Sequence, residues 1–294
     1  MFRRNKTKNI DQNATIGPWQ EMWYRLNQNK LAMLGLFVLI FLLLIAIFAD
    51  FITPFTFKEQ NLMNTFAKPN ATHLFGTDNF GRDIFTRVVY GARVSLRVGL
   101  ISVGIALIVG GFIGAIAGFR GGWIDTILMR IMDIMLAIPS MLLAIAIVSS
   151  MGGGLRNVMI AVGIGNIPSY ARIIRASVIS LKEEQFVEAS RALGSTNRTI
   201  ITKHILPNTL APIIVQSTLG VASAILAAAA LGFLGLGLEP PRPEWGAMLN
   251  DGRHYLRDYP HMTTFPGVAI MITILSLNLL GDGLRDALDP KLKD

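Results

Sequence analysis

Five uncharged, strongly apolar runs punctuate the chain, at residues 31–49, 98–119, 134–155, 209–238 and 263–281. Each is close to or above the ~20 apolar residues that a helix needs to cross a bilayer. A sixth, shorter run at 157–171 stops at Arg172. It reaches membrane length if Arg172 and Arg175 extend their side chains to the headgroups. The pattern predicts an all-α, polytopic membrane protein with six transmembrane helices. Ahead of the first run, Trp19, Met22, Trp23 and Leu26 recur at helical spacing among Gln20, Glu21, Arg25 and Gln28. That spacing describes a short amphipathic helix, either lying at the cytoplasmic interface or packed on a partner. Before the 209–238 run the chain turns polar and Arg-rich, reading EEQFVEASRALGSTNRTIITKHILPN.

Composition sharpens this picture. Hydrophobic residues fill 52% of 294 positions, charged residues only 16%, and mean hydropathy is +0.49. A soluble domain of this length needs a far more charged surface. The absence of cysteine excludes disulfides, Cys–zinc sites and Cys nucleophiles. Four scattered histidines give no metal centre. The net charge of +8 reads, in a membrane chain, as cytoplasmic loops and not as nucleic-acid binding. Before residue 30, Arg3, Arg4, Lys6, Lys8 and Arg25 outnumber Asp11 and Glu21, so the N-terminus is expected in the cytoplasm. The first run lacks a small-residue cleavage site and exceeds the ~7–15 residues of a signal core, so it is expected to stay as an anchor. Six spans then return the tail to the cytoplasm, leaving 53–97 and 239–262 outside and 182–208 inside. Arg82, Arg87 and Arg93 in the outer segment run against the positive-inside rule, balanced by Glu59, Asp78 and Asp83.

Within the runs, Gly110, Gly114 and Gly118 share one helix face, where missing side chains let two backbones approach in lipid. The expected partner is a helix of the same chain, with a second subunit as the alternative. Pro139 permits a kink in the third run. The alanines at 227–230, followed by Gly232, Gly235 and Gly237, describe a narrow helix, tightly packed or pore-lining. Arg130 and Asp133, three residues apart, are expected to form a structural ion pair at the inner membrane edge near Asp125; a proton relay is the alternative. No nucleophile elbow, zinc-peptidase pair or Walker loop is present, so no catalytic residue and no metal ligand is assigned. Carriers driven by ion gradients bury ionisable groups at mid-membrane, and these runs are almost free of charge. The energy for transport has to come from elsewhere.

The polar loop reads as helix, break, helix. Its first part, 184–193, is helix-prone; Gly194 breaks it, Ser195 or Thr196 caps a second turn, and Pro207 stops that segment before span five. A short helix projecting from the membrane, with small residues at its tip, suits docking into a groove on a partner; a solvated connecting helix is the alternative. The EAS-x3-G block followed by LP resembles the EAA loop of permease subunits of ATP-binding-cassette importers. Four further stretches resemble the second permease of the peptide importers, a group handling dipeptides, oligopeptides, glutathione and, in one offshoot, nickel. They are FGTDNFGRDIFTRVVYGARVSLRVG, GGWIDTILMRIMD, LGFLGLGLEPPRPEWGAML and NLLGDGLRDALDPKLK. His204 stands where the general EAA pattern has Ile, although HILPN is typical of the peptide branch. Ala228 stands where many oligopeptide-type members have Glu, which leans toward the dipeptide or glutathione branches.

The resemblance implies a type I importer permease fold and a division of labour. A second homologous permease would complete the pathway, two ATP-binding-cassette ATPase subunits would dock below, and an extracytoplasmic substrate-binding protein would deliver peptide above. No cofactor belongs to this chain, because ATP would be bound by the ATPases. Glu188, Ala189, Ser190, Arg191, Gly194, His204, Leu206 and Pro207 would form the coupling loop. The outer Asp78, Arg82 and Asp83 have two readings, a face that receives the binding protein or a brace for the spans. The expected organisation is 1–30 cytoplasmic with the interfacial helix, 31–52 the first span and 53–92 extracytoplasmic. Residues 93–282 would be the type-1 permease domain, with its coupling loop at about 180–208, and 283–294 the cytoplasmic tail. The expected location is the cytoplasmic (inner) membrane of a bacterium, with both termini inside. An ion- or proton-coupled carrier, a passive channel or scaffold, and a nickel-type permease of the same family are the rivals.

Overall fold

The computed structural model describes residues 17–289. Thirteen α-helices follow one another along them: α1 (Pro18–Gln28), α2 (Lys30–Ile47), the one-turn α3 (Ala49–Ile52), α4 (Ile84–Arg120), α5 (Gly122–Ala137), α6 (Ser140–Met151), α7 (Leu155–Lys182), α8 (Gln185–Ala192), α9 (Asn197–Thr199), α10 (Leu206–Asn208), α11 (Leu210–Phe233), α12 (Trp245–Gly252) and α13 (His261–Leu288). A π-helical segment, Ile200–Ile205, joins α9 to α10. The basic residues Arg3, Arg4, Lys6 and Lys8 and the end of the tail lie outside the described residues.

By length and composition, α2, α4, α11 and α13 can each cross a membrane, and a bent α5–α6 pair makes a fifth candidate. α7 runs for 28 residues but carries Arg156, Arg172, Arg175 and Lys182, so it is not among them. The kink expected at Pro139 is a right-angle break: α5 and α6 meet at 87°. Pro139 has no N–H to continue the ladder and pushes its predecessor out of the helical region, and Ile138 sits at φ −92°, ψ 125°. The third run is therefore two helices. α4 begins at Ile84, where the Asp83 carboxylate accepts the Thr86 N–H at 2.7 Å, so the apolar run from 98 continues a helix that has already made several turns.

The tightest seam joins α4 to α7. A Cβ at Gly110 would fall 2.6 Å from the Ile167 carbonyl oxygen, and one at Gly118 2.8 Å from that of Arg175. One at Gly114 would meet the Ala171 carbonyl oxygen. Three glycines four residues apart thus face three α7 carbonyls four residues apart, which lets the helices touch backbone to backbone. Farther out, Ser102 Oγ donates to the Met159 carbonyl at 3.0 Å. The narrow stretch of α11 is packed in the same manner: Gly246 of α12 lies on the Ala229 backbone, and Glu244 lies over Gly232. The Glu244 carboxylate accepts the N–H groups of Gly246 and Ala247, each at 2.8 Å. Burial pushes its pKa up, and those two hydrogen bonds hold it back.

α1 divides the face read from its spacing. Leu26 and Met22 pack against Ala32, Leu284 and Ala287, whereas Trp19, Trp23 and Tyr24 stay about half exposed. The helix is fastened to α13 and leaves an aromatic edge suited to the headgroup layer.

Introducing Gly114→Leu should misfit the seam by at least the ~1–3 kcal/mol typical of overpacking, because the obstruction is backbone. Gly104→Leu, on the same helix with nothing near its Cβ, should be tolerated. Thermal stability in detergent compares the two; equal melting would contradict the seam.

Candidate functional site

The polar loop leaves the inner end of α7 and returns to α11 as a small platform. α8 is eight residues long and ends in a Schellman turn. Gly194 has φ +80°, its N–H reaches the Arg191 carbonyl at 2.9 Å, and the Ser195 N–H reaches the Ser190 carbonyl at 3.1 Å. This left-handed position suits glycine. Thr196 then caps α9, accepting the Thr199 N–H at 3.3 Å.

Val187, fully buried, is the peg of α8. It packs with Ile200 and Ile205 of the π segment and with Ile174 and Val178 of α7. Burying such a side chain contributes roughly 1.5–3 kcal/mol, enough to seat a two-turn helix that could not stand alone. On the other side Glu188, Ala189, Arg191 and Gly194 are exposed, and Leu193 is 87% exposed. Ser190 is buried, so its side chain is turned into the protein and away from any docking partner. His204 is half-buried, with its ring 6.3 Å from that of Phe186. Leu206 and Pro207 are exposed. Pro207 does not stop the helix as expected. Its missing N–H and its ring are accommodated by the wider π winding just before it, and the chain passes through Thr209 directly into α11.

The ion pair expected between Arg130 and Asp133 is corrected. Asp133 instead accepts a hydrogen bond from Arg172 at 2.5 Å, and Asp125 takes two from Arg175, at 2.5 and 2.6 Å. Helix spacing favoured a local partner, but the right-angle turn lays the acidic side of α5 against α7. The two arginines read as snorkelling cations are thereby neutralised inside the chain. Lys182 Nζ donates to the Phe119 carbonyl at 2.9 Å and so caps the C-terminal end of α4.

At the other end of the bundle, Asp78, Arg82 and Asp83 are buried, with 5%, 2% and 4% exposure. Of their two readings, burial favours the brace over the receiving face. Arg82 Nε bonds Asp78 at 2.6 Å, with Arg87 at 3.6 Å from the same carboxylate and Asp251 of α12 at 3.5 Å from Arg82. Asp83 caps α4 and meets His73 Nδ1 at 2.9 Å. Burial raises the Asp251 pKa, opposed chiefly by Arg87 and then Arg82. These groups brace α4 against α12. Arg93 is engaged as well, donating to the Ala46 carbonyl at 2.7 Å and the Ile47 carbonyl at 3.1 Å at the end of α2. Among the described residues, no group of three or more His, Asp or Glu could hold a metal ion.

The loop is thus a short projecting helix on a hydrophobic seat, with Glu188, Ala189, Arg191 and Leu193 presented to the outside. The profile of the "Binding-protein-dependent transport system inner membrane component" family matches residues 110–294, and that of the "N-terminal TM domain of oligopeptide transport permease C" matches 17–69. The chain is 55% identical over 283 residues to the dipeptide transport system permease protein DppC of Alkalihalophilus pseudofirmus, covering 96% of this chain and 93% of that one. It is 46% identical to the glutathione transport system permease protein GsiD of Escherichia coli, covering 94% and 91%. The chain belongs to the binding-protein-dependent permease family. Among solved structures, the inward-facing MetNI methionine ABC transporter shares the fold, with a TM-score of 0.58 at 20% identity over 70% of this chain and 98% of that one. An amino acid ABC transporter matches at a TM-score of 0.54 and 15% identity, over 69% and 94%. This permease is thus an inner-membrane component of an ABC transport system and not an enzyme, ATP being handled by the ATPase of the system.

Reading the sequence missed the seat of the permease's loop, Val187 with Ile200 and Ile205. The signal was present as apolar residues alternating with exposed ones in a polar stretch. It also missed Asp251, whose long-range partner leaves no local pattern, and Glu244, which caps α12 locally while lying over the distant Gly232. Replacing Val187 with Asp should unseat α8, since an unpaired charge would be buried. Limited trypsin digestion would then cut faster at Arg191 and Arg198; an unchanged digest would contradict the seat.

Proposed function

We propose that this chain is the permease subunit of an importer that carries short peptides, of the dipeptide or glutathione class, across the inner membrane of a bacterium. The observation that carries the reading is the seated α8 with its exposed face, in a chain so similar to a dipeptide permease and a glutathione permease. In this account there are six spans. α5 and α6 together form the third and α7 the fourth, its Arg172 and Arg175 paired with Asp133 and Asp125. Both termini lie in the cytoplasm, residues 53–92 and the α12 region face outward, and the type-1 permease domain occupies about 93–282.

A second, homologous permease completes the pathway, two ATPase subunits dock below, and an extracytoplasmic binding protein delivers peptide from above. Each ATPase receives one coupling helix in a cleft, against Glu188, Ala189, Arg191 and Leu193. ATP draws the ATPases together, the helices follow, and the route opens outward; hydrolysis resets it inward. The seat makes this physically reasonable, since a push on α8 is delivered through Val187 to α7 and to the start of α11. An ion-coupled carrier is disfavoured because the ion pairs gather near the two ends of the bundle.

Extraction of the tagged transporter in mild detergent, followed by mass spectrometry, tests the reading. An ATPase and a second permease should co-purify. Glu188→Arg combined with Gly194→Pro should lose the ATPase, keep the permease and abolish ATP-driven peptide uptake. Recovery of this chain alone, or normal uptake by the double variant, would sink the proposal.

A further inference from the structure

A cleft of about 830 Å³ opens between the inner halves of α7, α11 and α13, with Ile173, Pro212, Gln216 and Leu219 in its walls and Arg25 and Arg285 among its lining residues. Ser169 lies four residues before Ile173, and Ser223 four residues after Leu219. Each therefore points in the direction of the cleft wall, one turn farther into the membrane. Ser169 is thirteen residues from Lys182 at the inner end of α7, and Ser223 thirteen from Leu210 at the inner end of α11. At 1.5 Å per residue both sit ~20 Å along their helices, at similar depth. Asn166, one turn beyond Ser169, continues the α7 side.

These side chains are not sealed in the core: Asn166 and Ser169 are half-buried and Ser223 is exposed. Asn166 Nδ2 donates to Val162 and Ser223 Oγ to Leu219, which leaves oxygen acceptors free on both helices. Elsewhere the open faces are built of large apolar groups, with Ile108 73% and Phe112 70% exposed on α4. Hydrocarbon suits those faces and not a polar stripe at mid-helix. A tightly packed subunit contact suits the stripe no better, because such contacts match protein interiors in density, and this face runs into an open cleft. Tyr170 OH donates to the Gln216 carbonyl at 3.2 Å, tying α7 to α11 behind the stripe.

We propose that this stripe, from Asn166 and Ser169 to Ile173 on α7 and from Ser223 to Gln216 on α11, is the wall that the chain contributes to the peptide's route. The assignment rests on the permease reading and adds which face touches the cargo and how. The stripe carries hydroxyl and carboxamide groups and no formal charge. It hydrogen-bonds the amide and terminal groups common to small zwitterionic peptides, and it does not sort them by side-chain charge.

The chain has no cysteine, so Ser169→Cys, Ser223→Cys and the control Ile108→Cys each introduce a single thiol. Each variant is assembled with its partner subunits in membrane vesicles and exposed to a hydrophilic, cationic methanethiosulfonate. Labelling is read by mass on this chain, and uptake with radiolabelled dialanine. Both wall thiols should react, dialanine should slow the reaction, and labelling should abolish uptake. Ile108→Cys should stay unlabelled and keep transporting. Wall thiols that resist the reagent, or that react without loss of uptake, would overturn the wall. ATP-driven dialanine uptake by the native chain, measured alongside, separates that failure from failure of the permease reading.

Discussion

Contact between the α4 and α7 backbones is the constraint on which the rest of the molecule depends. Helices in lipid gain little from burying apolar surface against one another, so close approach has to supply the attraction. Gly110, Gly114 and Gly118 provide it by opposing the carbonyls of Ile167, Ala171 and Arg175. The same contact fixes the height and rotation of α7. α7 then presents Arg172 and Arg175 to the acidic side of α5 and holds Ile174 and Val178 under α8. One glycine face thus sets the positions of the broken third run, α7 and the projecting loop.

Charge is confined to the ends of this frame. The inner end holds two Arg–Asp pairs between α5 and α7, together with Lys182 on the last turn of α4. The outer end holds Asp78, Arg82, Arg87 and Asp251, which link the entry of α4 to α12. The buried outer pairs are weak sources of net stability but costly to break singly, since the abandoned partner is left uncompensated. Their effect is to fix geometry. The outer arginines that ran against the positive-inside expectation are accounted for in this way, each committed to a carboxylate or to a helix end.

The elements legible in the sequence were those governed by local physics. Uncharged runs marked α2, α4, α11 and α13. Four-residue glycine spacing marked the seam, and Gly194 marked the end of α8. Features set by distant partners were not legible. Asp133 looked toward Arg130 because helix spacing offers nearby partners, while Arg172 lies 39 residues away. Asp78 and Arg82 were open to two readings, a receiving face or a brace, because their burial depends on α12, which supplies Asp251. Pro207 was read as a stop because a proline in an α-helix usually is, and the π winding that tolerates it has no signature in composition. In the loop, exposed Glu188, Ala189 and Gly194 emerged from the resemblance, but the hydrophobic seat beneath them did not.

If α8 is seated as described, it moves as one piece with the inner half of α7, and force applied to it reaches the helices of the bundle. The direct test is a distance measurement between spin labels introduced at Leu193 on α8 and Ser180 on α7, made on the assembled transporter with and without nucleotide. The account predicts an unchanged, narrow distance in both states, while the distance from Leu193 to the equivalent position of the second permease shifts. A Leu193–Ser180 distance that broadens or changes with nucleotide would show α8 to be a loose tether, and would contradict the account.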